Sequence, residues 1–130
     1  MPVKDYLNKI LNTISTNPFL KSQSISFEER PPDAAYIKGI VIFIDDSKLY
    51  FKEFVIFKPE TCHILKYGYN YTAKDNVMIF RYDNALDPKC RNFSTYPEHK
   101  HSSEGIFPAK RPSFEDLLNE ISEMIAVDID

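Results

Sequence analysis

His99 and His101 stand one residue apart in the run Tyr96-Pro97-Glu98-His99-Lys100-His101. In an extended chain that spacing puts both imidazoles on one side and Lys100 on the other. Imidazole titrates at about 6.5, so the pair suits general acid–base work at neutral pH. The competing role is an ordinary solvated loop. A metal would need a third and usually a fourth ligand. No CxxC, HExxH or paired-carboxylate spacing supplies one, and His63 falls on a separate expected strand. No metal and no cofactor are therefore expected.

Two further groups break an apolar pattern. In Leu49-Tyr50-Phe51-Lys52-Glu53-Phe54-Val55-Ile56-Phe57, alternation points Leu49, Phe51, Glu53, Val55 and Phe57 one way, so Glu53 interrupts an apolar row. Held in a half-buried place it would be a carboxylate tuned for acid–base chemistry; at an edge it would simply face water. Arg81 and Asp83 likewise share a face with Val77 and Ile79. Arg81 could aim a guanidinium fork at phosphate or carboxylate, or pair with Glu53 or Asp83.

These residues need elements to hold them. Val3, Tyr6, Leu7, Ile10, Leu11 and Ile14 have helical spacing, and Asn17-Pro18 ends that run. Strand-like segments come next at 22–29, 36–44, 48–57, 62–71 and 77–82, with turns at Asp45-Asp46-Ser47, Pro59-Glu60-Thr61 and 73–76. Connections this short allow only antiparallel neighbours. Residues 85–112 carry Pro88, Pro97, Gly105, Pro108 and Pro112 and read as a loop. Ser113 then caps a final helix, with Asp116 as its capping-box partner and Phe114, Leu117, Leu118, Ile121, Met124 and Ile125 as its apolar stripe. The tail from Ala126 to Asp130 is expected to fray. The expected fold is α+β, a curved antiparallel meander of about five strands with an N-terminal and a C-terminal helix. One domain spans residues 1–130, divided into helix 1–17, sheet 22–84, motif-bearing loop 85–112 and helix 113–126.

Composition narrows the chemistry further. The 130 residues include only 3 glycines, too few for a Gly-rich phosphate-cradling loop. Ten Phe and eight Tyr in so short a chain suit a β-rich core. The net charge of −3 argues against a protein that coats nucleic acid with its whole surface. Its distribution is uneven: residues 1–112 hold 16 basic against 13 acidic residues, while residues 113–130 hold six acidic residues and no basic one. A local cationic site is therefore permitted. No apolar run is long enough for a membrane span, and Asp5 interrupts any signal-like apolar stretch at the N-terminus. Cys62 and Cys90 read as free thiols in a reducing compartment, and the expected location is cytoplasmic.

The run Ile79-Phe80-Arg81-Tyr82-Asp83-Asn84-Ala85, succeeded by Tyr96-Pro97-Glu98-His99-Lys100-His101, resembles the TumE-like toxin family of prokaryotic toxin–antitoxin modules. Its members share an RYDNA motif and a loop ending in Pro and HKH. The resemblance extends through Ile40–Asp45, Ser47-Lys48-Leu49, Glu53, Lys66-Tyr67 and Tyr69, and covers roughly residues 36–125. The chain departs from the family pattern at Leu86, Asp87 and Pro88, where many members have Pro and a His pair, and at Glu98, often His. The resemblance implies a toxin neutralised by a cognate helix-turn-helix antitoxin protein, and it implies a system more firmly than a reaction. Together with the displaced charges it leads to a small metal-independent endoribonuclease. The candidate catalytic residues are His99, His101, Arg81, Asp83 and Glu53. The candidate substrate-binding residues are Lys100, Tyr82, Asn84 and Tyr96, with the tyrosines stacking on splayed bases. The alternative is a non-enzymatic interaction protein whose Arg, Asp and His residues recognise a protein partner. RNA is the candidate target, no membrane is expected, and a homodimer is left open.

Overall fold

A computed structural model of the chain describes residues 2–129. Helix α1 (Pro2–Ser15) leads into a meander of β1 (Leu20–Arg30), β2 (Ala34–Phe43), β3 (Lys48–Phe57), β4 (Cys62–Thr72) and β5 (Met78–Asp83). A 3₁₀ turn at Pro88–Cys90 comes next, then β6 (His99–Ser102), β7 (Gly105–Pro108) and helix α2 (Phe114–Ile129). All seven strands form one antiparallel sheet in the order β1-β2-β3-β4-β5-β6-β7.

The α+β class, the two terminal helices and the open, curved antiparallel sheet match expectation. The strand number is seven and not five. Residues 99–108, expected within a loop, form a short hairpin on the free edge of β5. Its strands have four residues each, HKHS and GIFP, with two histidines, a lysine and a terminal proline. No period of two can emerge from so few and such polar residues. The edge of β5 nevertheless leaves backbone N–H and C=O groups that need partners, and the hairpin supplies them. Gly105, at φ 132, closes the turn in a conformation that L-residues avoid.

Both helices cover the same face of the sheet. Ile10 and Ile14 of α1 and Leu117, Leu118, Ile121 and Ile125 of α2 pack on Ile37, Val41, Leu49, Phe51, Val55, Tyr69, Tyr71 and Phe80. Ser113 Oγ accepts the Asp116 N–H at 3.0 Å, so the N-cap forms as expected. Two expectations about α2 fail. Met124 is exposed, because the stripe of Leu117, Leu118, Ile121 and Ile125 already fills the contact. The helix also runs on to Ile129, past the expected end at 126. Met1 of the expected helix 1–17 and Asp130 of the expected tail lie outside the described residues.

The inner face is packed closely enough to dictate a glycine. Gly39 on β2 pairs with Phe51 on β3, whose ring lies across it. A Cβ there would stand 2.8 Å from two Phe51 ring carbons and from the Ser24 carbonyl oxygen. Gly39→Ala should therefore cost about 1–3 kcal/mol of stability through overpacking, measured by urea denaturation. A neutral result would show that the ring moves freely.

Candidate functional site

Strand alternation divides the motif residues between two faces of the sheet. On β5, Phe80 and Tyr82 turn to the helices, while Arg81 and Asp83 turn to the open face. The β5–β6 register sets Arg81 opposite His101 and Asp83 opposite His99, so these four side chains share the open face.

Asp83 is the hub. It is buried, and its carboxylate accepts Arg81 Nε–H at 2.9 Å and the Ala85 backbone N–H at 3.0 Å. His99 Nε2 lies 3.0 Å from Asp83 Oδ1, and the other ring nitrogen, Nδ1, lies 2.8 Å from the Pro97 carbonyl oxygen. Both ring nitrogens of His99 therefore face acceptors. Each contact is a hydrogen bond when that ring nitrogen carries a proton, and the carboxylate acceptor strengthens the one to Asp83. With 1% of its side chain exposed, His99 is a fixed part of the site.

His101 is placed differently. Its ring meets that of His99 edge-on at 4.8 Å between centroids, and its Nε2 is 3.9 Å from Asp83 Oδ2. Its side chain is 27% exposed. Burial and then the charge on His99 hold its pKa below the ordinary 6.5, with Asp83 pulling the other way. It is thus the reachable, neutral histidine beside the Arg81 guanidinium.

Donor atoms of Asp83, His99 and His101 lie within 4.8 Å of one another, as do those of Asp87, Cys90 and His99. Either trio could hold a metal ion by proximity. The Pro97 carbonyl would fix the His99 tautomer in the manner usual for a ligating imidazole. Against that, Arg81 already places a cation on the Asp83 carboxylate.

The remaining candidates lie elsewhere. Glu53 is fully buried on the helix-covered face, where it accepts hydrogen bonds from the hydroxyls of Tyr6 on α1 and Tyr69 on β4. Burial and then the Glu53 charge raise both tyrosine pKa values far above 10, so both remain donors. Arg111 Nη1 donates in turn to the Tyr69 oxygen at 3.1 Å. Arg81 pairs with Asp83, and Glu53 is separated from it by the sheet. Lys100 and Tyr82 also turn to the helices: Lys100 Nζ sits 5.0 Å and 4.8 Å from the Phe80 and Tyr82 ring centroids and 2.8 Å from Glu120 Oε2. Tyr82 donates to Glu120 Oε1 at 2.7 Å. Asn84 extends the sheet, donating to the Leu65 carbonyl and accepting the Tyr67 N–H. Tyr96 is exposed in the turn before β6.

A comparison with protein families matches residues 9–128 to Toxin TumE. The chain belongs to the TumE toxin family. No curated protein and no solved structure matches it. As a TumE toxin it has a cognate antitoxin as partner. No helix is long and apolar enough to cross a membrane among the described residues.

Two sets of residues around this TumE site carry no motif. Asp87 and Cys90 approach His99 only because the 3₁₀ turn folds back under β6. Tyr6 reaches Glu53 directly and Arg111 reaches it through Tyr69, from distant parts of the chain. Signals did exist for Lys38 and Lys52, which lie on the polar side of alternating strands.

The site makes a signed pH prediction. In an NMR titration His101 should turn over below 6.5. Asp83→Asn, which removes an anion favouring the charged ring, should lower that midpoint further, and His99→Gln should raise it. The folded value is depressed relative to the unfolded one, so the contribution of His101 to stability is complete above 6.5. It is lost as pH falls below that value.

Proposed function

We propose that this TumE toxin arrests growth as a metal-independent endoribonuclease, with His101 and Arg81 as its reactive pair. The observation that carries this is the placing of one half-buried, reachable neutral histidine beside a guanidinium, both fixed from behind by the buried Asp83–His99 pair. RNA supplies its own nucleophile, the 2′-OH. His101 takes the proton of that hydroxyl as the 2′-oxygen attacks phosphorus. Arg81, with 42% of its side chain exposed, stabilises the charge that builds on the phosphorane oxygens. The bond to the 5′-oxygen breaks, that oxygen takes a proton from water, and a 2′,3′-cyclic phosphate remains.

Asp83 and His99 act as positioning residues. Asp83 orients Arg81 and holds His99, and His99 in turn sets the ring of His101 and keeps it neutral. Glu53, Lys100 and Tyr82 are assigned no step, since they tie the helices to the sheet on the other face. The metal-independent form is favoured because both His99 nitrogens are engaged and Asp83 already carries a guanidinium. The partner is proposed to be a helix-turn-helix antitoxin, and the site of action the cytoplasm, where the RNA is.

The test is cleavage of a defined RNA by purified protein in EDTA. Cleavage should persist and leave cyclic phosphate ends, and His101→Ala should lower its rate by about 10²–10⁴. The acid limb of kcat/KM should have its midpoint below 6.5 and rise with pH, because the base must be neutral. Intact RNA with or without added divalent ions, from protein that still arrests growth, would falsify the proposal. Activity that needs a divalent ion would assign Asp83, His99 and His101 to metal binding. Loss of toxicity in Arg81→Ala with no RNA cleaved by the parent protein would favour a non-enzymatic partner surface.

A further inference from the structure

The open face carries a pattern that the catalytic residues do not explain. Register aligns Ser26, Lys38, Lys52, Gly68, Asp83 and His99 in one row across six strands. Beside it runs a second row of Tyr50, Asn70, Arg81 and His101. Lys38 and Lys52 are directly opposite each other, and like charges in that position destabilise a sheet. Neither is in an ion pair among the described residues.

Between Lys52 and Asp83 the row holds a glycine, and the Lys52 stem lies across it. Gly68 stands there, and a Cβ on it would come 3.2 Å from Lys52 Cε. A larger residue would wall off the lysine from the Asp83–Arg81 pair. Two hollows of about 480 Å³ and about 740 Å³ lie along this face. Tyr36, Lys52 and Arg81 line both, so the two adjoin as successive parts of a trough along the face. Tyr50 is exposed over it, and Asn70 Oδ1 is buried in its floor without a hydrogen-bond partner. The two acids that face the trough from these rows and their flank, Asp83 and Glu28, are each paired with an arginine.

Resting on the RNA-cleaving reading above, we infer that single-stranded RNA is the substrate and crosses the open face over Lys38, Lys52 and Gly68 to reach Arg81 and His101. The opposed lysines supply phosphate contacts and lose their mutual repulsion when a polyanion lies between them. Tyr36 and Tyr50 supply stacking faces, which only unpaired bases can use. Strands about 4.8 Å apart put β2 and β6 about 19 Å from each other, so the path spans several nucleotides.

The test is fluorescence anisotropy with the His101→Ala protein and a labelled, unstructured 12-nucleotide RNA, compared with the same sequence in a duplex. The single strand should bind on the order of tenfold more tightly, with a salt-dependent constant. Lys38→Gln with Lys52→Gln should weaken it on the order of tenfold and reduce the slope of log K against log salt by about 1.4. The melting temperature of that variant should hold or rise, since the repulsion is gone. Tyr50→Ala gives a second, uncharged probe and should weaken the single strand more than the duplex. Equal binding of duplex, equal binding of a polyglutamate peptide of matched charge, or affinity in the double variant within twofold of the parent overturns the path. The two readings separate cleanly. Binding in this pattern by a protein whose parent cleaves no RNA removes the chemistry and leaves the path; cleavage by the parent with binding indifferent to Lys38, Lys52 and Tyr50 removes the path alone.

Discussion

Asp83 closes β5 and at the same time sets the course of the chain beyond it. Its carboxylate takes the Ala85 N–H where the chain leaves the strand, the Arg81 guanidinium two residues back, and the His99 ring from β6. A buried carboxylate is costly unless each oxygen is engaged, and here both oxygens are. The interaction therefore fixes more than a local pair. It joins the last strand of the meander proper to a hairpin too short and polar to be held by its own propensity. With β6 seated in that register, His101 falls opposite Arg81 without any further device.

The same strand shows why alternate residues take different duties. Lys100 lies between the two histidines, and its side chain passes through to the helix side, over the rings of Phe80 and Tyr82, to Glu120 of α2. Its long apolar stem suits that passage. β6 is thereby held from both faces, by the His99 contact to Asp83 on one and by a cation–π and carboxylate contact on the other. Glu53 plays the corresponding part at the opposite end of the inner face. There two tyrosine hydroxyls from α1 and β4, backed by Arg111, satisfy a carboxylate with no access to water. Each face thus has one buried acid that clamps distant segments together, and only the one on the open face has a reachable histidine beside it.

How much was legible in the sequence depends on the range of each interaction. Strands β2, β3 and β4 and both helices were readable because their periods repeat over ten or more residues, and the six-residue β5 through the turn that precedes it. The row that makes Glu53 an inward charge was readable for the same reason, whereas the shared side of His99 and His101 followed from their spacing alone. The use of that charge was not, because Tyr6 and Arg111 lie far from it in the chain and neither breaks a pattern where it stands. Nor was the hairpin at 99–108. Its cause is the unpaired edge of β5, a feature of the sheet and not of residues 99–108. Lys100, Tyr82 and Glu53 were grouped with the histidines by sequence proximity or displaced charge, and the sheet itself separates them.

The net charge of −3 also takes on meaning only through the faces. Five of the six acids after residue 112 belong to α2, and α2 packs on the face that buries Leu117, Leu118 and Ile121. Lys38, Lys52 and Arg81 stand on the other face, with the thickness of the sheet between. Exposed charges more than about a Debye length apart are largely screened at physiological salt. The acidic helix therefore does little to the potential over the histidines. A chain acidic as a whole still presents a cationic trough, because alternation sorts its charges by side, and the overall sum conceals a division that the strand register makes plain.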